Sequence, residues 1–138
     1  MKPSDIFKHL GAPLANSRWS CGSVRAADKA VFLRVWQDHT IKHQGRRYMM
    51  VTHHEQIGDK DNLGYQERLT HVSQIHAGAH CFMVMCVAED KLASPRKIKD
   101  INSDEVFVGG KIVELNGDTW VELASRKRFS EVIDRKKA

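Results

Sequence analysis

Residues 111–123 have the sequence KIVELNGDTWVEL, which is the pattern of a β-hairpin. Two short runs rich in β-branched and apolar residues flank the dipeptide Asn116-Gly117, and Asn-Gly readily adopts the positive φ angles that a two-residue hairpin turn requires. Just upstream, Gly109-Gly110 predicts a bend or a bulge, since glycine inside a strand usually marks such an irregularity. We therefore predict strands over residues 105–108, 111–115 and 119–123.

Three further strands are predicted before this hairpin. Within residues 30–37, Val31, Leu33 and Val35 alternate with Phe32, Arg34 and Trp36, which is the period of two that is typical of a strand. Residues 48–53 follow a predicted turn at Gln44-Gly45. Residues 81–87, CFMVMCV, are apolar on both faces, as expected of a central strand that is covered on both sides. The chain thus has about six predicted strands, mainly antiparallel.

Two helices complete the predicted elements. Residues 63–77 place Tyr65, Leu69 and Val72 at helical spacing, and Gly78 is suited to end that helix. A shorter helix is predicted over residues 4–11. Because one long helix interrupts a series of strands without regular alternation, the sequence predicts an α+β fold with a small, strongly curved sheet or β-barrel.

Size and composition are those of one globular domain. The 138 residues are 41% hydrophobic and 28% charged. We expect a domain over residues 1–124 and a basic tail over residues 125–138, either helical or disordered, that carries +4 of the net charge of +5. No apolar run approaches the roughly 20 residues of a membrane span, and no signal peptide is evident, so a cytoplasmic protein without a membrane partner is expected.

The cysteines do not suggest disulfides or metal binding. Cys21, Cys81 and Cys86 are odd in number and form no CxxC pair, and two of them lie in an apolar run. We expect all three to be reduced and structural, as in a reducing compartment.

Positive charge is concentrated locally. Residues 18–54 contain seven Lys and Arg side chains but only two acidic ones, and such local fields attract phosphate even when the total charge is small. We predict phosphate contacts there from Arg18, Arg46 and Arg47, and further contacts from the run at Arg96 and Lys97. The alternative is that these runs are ordinary solvated surface.

Aromatic residues accompany this charge. Trp19 lies beside Arg18 in a polar segment, Trp36 ends a predicted strand, and Tyr65 begins the long helix. Aromatic rings stack on unpaired bases, and a carboxylate such as Asp38 accepts hydrogen bonds from base amino groups. We predict that these four residues bind a base. Alternatively, Trp36 belongs to the core and the Asp38 carboxylate caps a turn.

The eight histidines do not have the spacing of a metal site. Gly78 should end the helix between His76 and His80, and the neighbours His53 and His54 should point to opposite faces of a strand. We predict no metal and no cofactor, and the sequence contains no P-loop, GxGxxG or GxSxG motif. A binding protein is therefore favoured over an enzyme.

A metal-dependent nuclease is the main enzymatic alternative. Asp38 and Glu55 close neighbouring predicted strands, and Lys60 follows them. Two acids and a lysine are the groups with which such enzymes hold a metal and activate water. The match is poor, however, because this lysine lies in a loop and not two residues after the acid on one strand.

Four segments together resemble a known superfamily. The residues are Arg18-Trp19-Ser20, the strand of residues 31–38, residues 62–68 (NLGYQER) and residues 106–110 (VFVGG). In this order they resemble the PUA-like domains, which include the SET- and RING-associated (SRA), EVE and ASCH groups. The resemblance is to the copies that occur alone or ahead of His-Asn-His (HNH) nuclease domains in restriction-type proteins, and it extends to about Leu123.

The resemblance implies a curved β-barrel that receives an unpaired or flipped base, often a modified one, in a pocket. It therefore implies a DNA-binding protein of a restriction-modification system, without catalysis of its own, that acts with a nuclease or regulatory partner. A third interpretation is a protein-interaction or antirestriction subunit whose tail becomes ordered on a partner.

Overall fold

The structure is a computed structural model that describes residues 3–16, 20, 22–52, 63–92 and 97–133. Over these ranges the fold is α+β, with three helices and eight strands in one sheet. The helices are α1 (Pro3–His9), α2 (Leu63–His76) and α3 (Phe129–Val132). The strands are β1 (Gly22–Val24), β2 (Val31–Trp36), β3 (Thr40–His43), β4 (Arg46–Thr52), β5 (Cys81–Ala88), β6 (Ile98–Ile101), β7 (Glu105–Leu115) and β8 (Asp118–Arg128).

The sheet is mixed. Its order is β1-β2-β5-β7-β8-β4-β3, with β6 paired to β5. The pair β2–β5 is parallel because the chain crosses between these strands through β3, β4 and α2, whereas the other pairs are antiparallel, as predicted. The sheet has eight strands and not the predicted six. The predicted strands of residues 105–108 and 111–115 form the single strand β7, and β1, β3 and β6 were not predicted. These three strands have only three or four residues and are too short to show a clear period.

The predicted turns and the bulge are confirmed. Asn116 and Gly117 have φ angles of 54° and 84° between β7 and β8, and Gln44 and Gly45 have 51° and 80° between β3 and β4. The register between β7 and β8 shifts on both sides of Gly109. A Cβ atom on Gly109 would lie 2.7 Å from Sγ and 2.9 Å from Cβ of the buried Cys81, so the bulge requires glycine at this position.

Two clusters of apolar side chains lie on opposite faces of the sheet, since alternate residues of each strand point to opposite sides. The outer cluster joins α1 to the sheet and consists of Ile6, Phe7, Leu10, Ala12, Ala30, Phe32, Val84, Val106 and Val132. The inner cluster includes one residue of α2 and consists of Val31, Leu33, Val35, Met49, Val51, Val72, Cys81, Met83 and Val121.

Burial raises the pKa of the Cys81 thiol to about 12. Cys81 and Cys86 are buried free thiols, as predicted, and Cys21 lies outside the described residues.

The sheet curves around the inner cluster. Strands β2 and β4 are separated by three other strands, yet both contribute side chains to this cluster. The hydrogen-bonded path through the described strands begins at β1 and ends at β3 without closing. Helix α2 lies on the inner face, where Val72 and Ile75 pack.

The C-terminal region differs from the expected tail. Strand β8 continues through Arg128, four residues beyond the predicted domain end at Ala124, because Ser125–Arg128 pair with residues 105–108 of β7. Their side chains are exposed, so backbone pairing and not burial extends the strand. Residues 129–132 form α3, in line with the helical alternative, and residues 134–138 lie outside the described ranges. Within those ranges no helix is both long and apolar enough to cross a bilayer.

Candidate nucleic-acid interface

Trp36 lies on the outer face of the sheet. It shares one side of β2 with Arg34 and Phe32, whereas Val31, Leu33 and Val35 point into the inner cluster. The guanidinium carbon of Arg34 lies 6.0 Å from the centre of the Trp36 ring, which is a cation–π distance. Trp36 is half-buried and belongs to neither core cluster. The ring is therefore held beside a cation at the end of the strand.

Asp38 lies in the turn that follows β2. Its side chain is only 18% exposed, and Oδ2 is 3.9 Å from Nε2 of His39. The turn is fixed to β4, since the backbone N–H of Met50 donates a 3.0 Å hydrogen bond to the carbonyl of His39. Trp36 and Asp38 thus lie at the same end of β2, as predicted, and the Asp38 carboxylate is largely buried.

The structure says less about the other two predicted base-binding residues. Trp19 lies outside the described residues, but its chain neighbour Ser20 donates a 2.8 Å hydrogen bond to Glu67 of α2. Tyr65 belongs to the first turn of α2, on the inner face of the sheet, while Trp36 is on the outer face.

Arg46, a predicted phosphate contact, has an internal partner. Its Nη1 lies 2.5 Å from Oε2 of Glu122, whose side chain is only 9% exposed, and the backbone N–H of Lys111 donates to Oε1 at 3.3 Å. The hydrogen bond from Arg46, followed by that from Lys111, lowers the pKa of Glu122 below its ordinary value of 4.5. Arg46 therefore holds a buried carboxylate in place across β4 and β8.

Arg47 has a different environment. It lies directly opposite Lys42 in the β3–β4 pairing, and both side chains are exposed. Neither cation has a carboxylate within 4.0 Å among the residues that the structure describes. Like charges directly opposite one another destabilise a sheet, so this pair costs folding free energy.

A third cation lies on the same face of the sheet. Arg47 lies two residues before Met49 of the inner cluster in β4, so both side chains point to the same face of the sheet. Arg126 is paired with Phe107, which packs against that cluster, and directly opposite residues also share a face. The side chain of Arg126 is 67% exposed, and its Nε lies 3.6 Å from Glu105. We call Lys42, Arg47 and Arg126 the basic rim, because they continue the inner face of the sheet beyond its apolar cluster.

The sequence prediction identified Arg47 but did not select Lys42 or Arg126 as site residues. Lys42 was counted only within the basic segment, and Arg126 only within the basic tail of residues 125–138. The turn at Gln44-Gly45 implies the register that places Lys42 opposite Arg47, and this signal was available in the sequence. The contribution of Arg126 depends on the bulges of β7 and β8, which only the structure shows. Lys97 is exposed just before β6, and Arg18 and Arg96 lie outside the described residues.

Of the three residues of the nuclease alternative, the structure describes only Asp38. Glu55 and Lys60, like His53 and His54, lie outside the described ranges. Within those ranges no three His, Cys, Asp or Glu side chains are grouped so that they could hold a metal ion.

His71 of α2 is buried, and its Nδ1 has no hydrogen-bond partner among the described residues.

Comparison with known proteins gives no relative. The chain matches no protein-family model, no curated protein and no solved structure.

Proposed function

We propose that this protein is a nucleic-acid-binding module, built on a PUA-like curved barrel, that has no catalysis of its own. The observation that carries the proposal is the basic rim, where three exposed cations extend the inner face of the sheet. Among the residues that the structure describes, Glu105 supplies the only carboxylate within 4.0 Å of them. The barrel would close between β2 and β4, which already share the inner cluster.

The spacing of the three cations of the basic rim suits a phosphate backbone. Lys42 and Arg47 have Cα atoms about 5 Å apart, the distance of directly opposite residues in antiparallel strands. Arg126 lies on the neighbouring strand β8, about 10 Å farther along by strand rise. Three cations over such a span match more than one phosphate, since each strand of a duplex carries one phosphate per ~3.4 Å of helix axis. A bound phosphate backbone would offset the repulsion between Lys42 and Arg47.

Base recognition is proposed for the end of β2. The Trp36 ring supplies a stacking surface beside Arg34, and Asp38 supplies hydrogen-bond acceptors. Together with Trp19, these residues support the reading of a modified or flipped base in DNA, as the PUA-like resemblance implies. A nuclease or regulatory protein would then act on the DNA that this module marks.

The salt dependence of binding tests the rim. Affinity for a fluorescent 20-base-pair duplex is measured by anisotropy between 50 and 300 mM salt, for wild type, Lys42→Gln/Arg47→Gln and the control Lys8→Gln/Lys99→Gln. The rim variant should lower the slope of log K against log salt by about 1.8, or ~0.9 per lost phosphate contact. The control removes the same charge from α1 and β6 and should keep the wild-type slope. Equal slopes for both variants would refute the rim, and negligible binding to every DNA and RNA tested would refute the function.

Modified DNA tests base recognition. Wild type should bind a duplex that contains modified cytosine more tightly than the unmodified duplex. Trp19→Ala and Trp36→Ala should each remove that preference, by about 1–3 kcal/mol per lost base stack, while the circular dichroism spectrum stays unchanged. The control Leu92→Ala changes a side chain that is 94% exposed and should keep the preference. A preference that survives both tryptophan variants would exclude these rings as the base-binding groups.

A further inference from the structure

A groove of about 620 Å³ lies at the opposite end of β8 from the Asn116-Gly117 turn. It is bounded by the end of α1, the turn before β7, and the junction of β8 with α3. This volume falls within the range of small-molecule sites, roughly 300–1,000 Å³. Of the predicted base-binding and phosphate-binding residues that the structure describes, none lines it.

Backbone hydrogen bonds fix the two sides of the groove relative to each other. The N–H of Phe129 donates a 2.7 Å bond to the carbonyl of Asp104, which ties α3 to the turn before β7. Oδ1 of Asn102 accepts from the N–H groups of Asp104 and Glu105 at 2.9 and 3.0 Å, so this turn is held by its own side chain. The site is therefore formed before any ligand arrives.

The two carboxylates at the groove differ in their partners. Glu105 lies 3.6 Å from Nε of Arg126 and is engaged by that cation. The described part of the chain places no Lys or Arg nitrogen within 4.0 Å of the Asp104 carboxylate, and Asp104 is exposed to the groove. Asp104 can thus accept hydrogen bonds from an N–H group of a ligand.

The remaining lining supplies a ring and a cation. Phe129 packs against the outer cluster and also lines the groove, so its ring is supported from behind. Arg128 contributes an exposed guanidinium, and its backbone N–H donates a 3.1 Å bond to Glu131, which anchors it at the start of α3. An aromatic surface, a carboxylate acceptor and a cation are the three groups that a nucleotide with an amino-bearing base requires.

We propose that this groove binds one nucleotide of cytosine or adenine, with Phe129 against the base, Asp104 accepting from the exocyclic amino group, and Arg128 beside the phosphate. This inference rests on the proposed function and deepens it, because Arg128 lies two residues, or about 7 Å, beyond Arg126 of the basic rim. A strand bound along the rim would bring its nucleotides to the groove, and a base other than the one proposed for the end of β2 would enter it.

Titration with single nucleotides tests the site. Deoxycytidine and deoxyadenosine monophosphates are added to the full chain and followed by amide NMR shifts. Both should shift the amides of residues 103–105 and 128–130, whereas deoxythymidine monophosphate, which lacks the amino group, should bind roughly tenfold more weakly. Asp104→Ala should remove this discrimination, because alanine has no acceptor for the amino group, and Phe129→Leu should weaken all three ligands. The control Asp100→Ala, which removes an exposed carboxylate of β6, should behave as wild type.

The outcomes separate this site from the proposed function. Equal binding of the three nucleotides, no shift at either segment, or unchanged discrimination in Asp104→Ala would overturn the groove assignment even if duplex DNA binds at the rim. Loss of duplex binding in Lys42→Gln/Arg47→Gln should leave single-nucleotide binding intact. Nucleotide binding without any duplex or single-strand binding would refute the proposed function and keep the groove.

Discussion

Arg68 in α2 donates a 2.8 Å hydrogen bond from Nη1 to the carbonyl oxygen of Val51 in β4. Its Nη2 donates at 2.7 Å to the carbonyl of Arg34 in β2. Val51 is the extra residue of a bulge opposite β8. Arg34 pairs with Val84 of β5 on one side, but on the other side it lies one residue beyond the last pair with β1. One guanidinium thus joins the two sides of the curved sheet where their strands do not pair.

Replacing Arg68 should weaken the whole fold. Arg68→Met keeps most of the side-chain volume but leaves two carbonyls without their charged donor, so the free energy of unfolding should fall by about 3 kcal/mol. Urea denaturation measures this change. The control Gln66→Met alters an exposed position of the same helix and should shift the midpoint little. Similar midpoints for the two variants would show that Arg68 does not hold β2 to β4.

Glu122 should make stability depend on acid pH. Its pKa is lower in the folded protein than the ordinary 4.5, so its contribution to stability is present above that value and is lost as the pH falls through the folded pKa. The difference in melting temperature between wild type and Glu122→Gln should therefore be large at pH 7 and shrink towards pH 3. The control Glu114→Gln alters an exposed carboxylate of β7 and should change the melting temperature little. A constant difference for Glu122→Gln would contradict the assigned ion pair.

His71 should act in a higher pH range. Burial lowers its pKa below the ordinary 6.5, with Glu67 opposing this shift and Arg68 adding to it. The unfolded chain then takes up a proton first as the pH falls, so stability should decrease below about pH 6.5 until the folded pKa is reached. Melting curves between pH 8 and 5 should show a smaller decrease for His71→Phe than for wild type. The exposed control His76→Phe should retain the wild-type decrease, and identical profiles for both variants would be evidence against this role.

The pair of Lys42 and Arg47 should show a conflict between stability and binding. Lys42→Glu converts a repulsive cross-strand pair into an attractive one, so the free energy of unfolding should rise by about 0.5 kcal/mol. The same change places a negative charge in the basic rim and should weaken duplex binding more than Lys42→Gln does. Urea denaturation and anisotropy on one preparation measure both effects. A variant that gains stability and keeps full affinity would mean that the rim does not contact phosphate.

Local patterns in the chain predicted the elements that depend on neighbouring residues. The Asn116-Gly117 hairpin, the Gly109-Gly110 bulge and the helix ending before Gly78 were all confirmed, because turn geometry and side-chain period are properties of a few adjacent residues. For the candidate site, Arg47 and the pair Trp36 and Asp38 were also chosen from the sequence. Their charge and their position at strand ends were visible without coordinates.

Only the structure shows which face of the sheet each side chain occupies. Period-two alternation places Trp36 opposite Val35 but does not say which side is concave, and only the shared cluster of β2 and β4 shows that Val35 points inward. The register shifts of β7 and β8 determine that Arg126 joins Lys42 and Arg47 on that side. No local signal predicted this, because strand order depends on contacts between distant residues.

The amino-acid sequence alone determined the turns, the bulge, the main helix and the surplus of positive charge, since each follows from backbone geometry or charge over a few consecutive residues. The tertiary structure decided the parallel pairing of β2 with β5, the bridge made by Arg68 and the groove between Asp104 and Phe129. These features join residues that are far apart in the chain. They form because burial of apolar side chains curves the sheet, and the backbone carbonyls left outside its ladders then need donors from elsewhere.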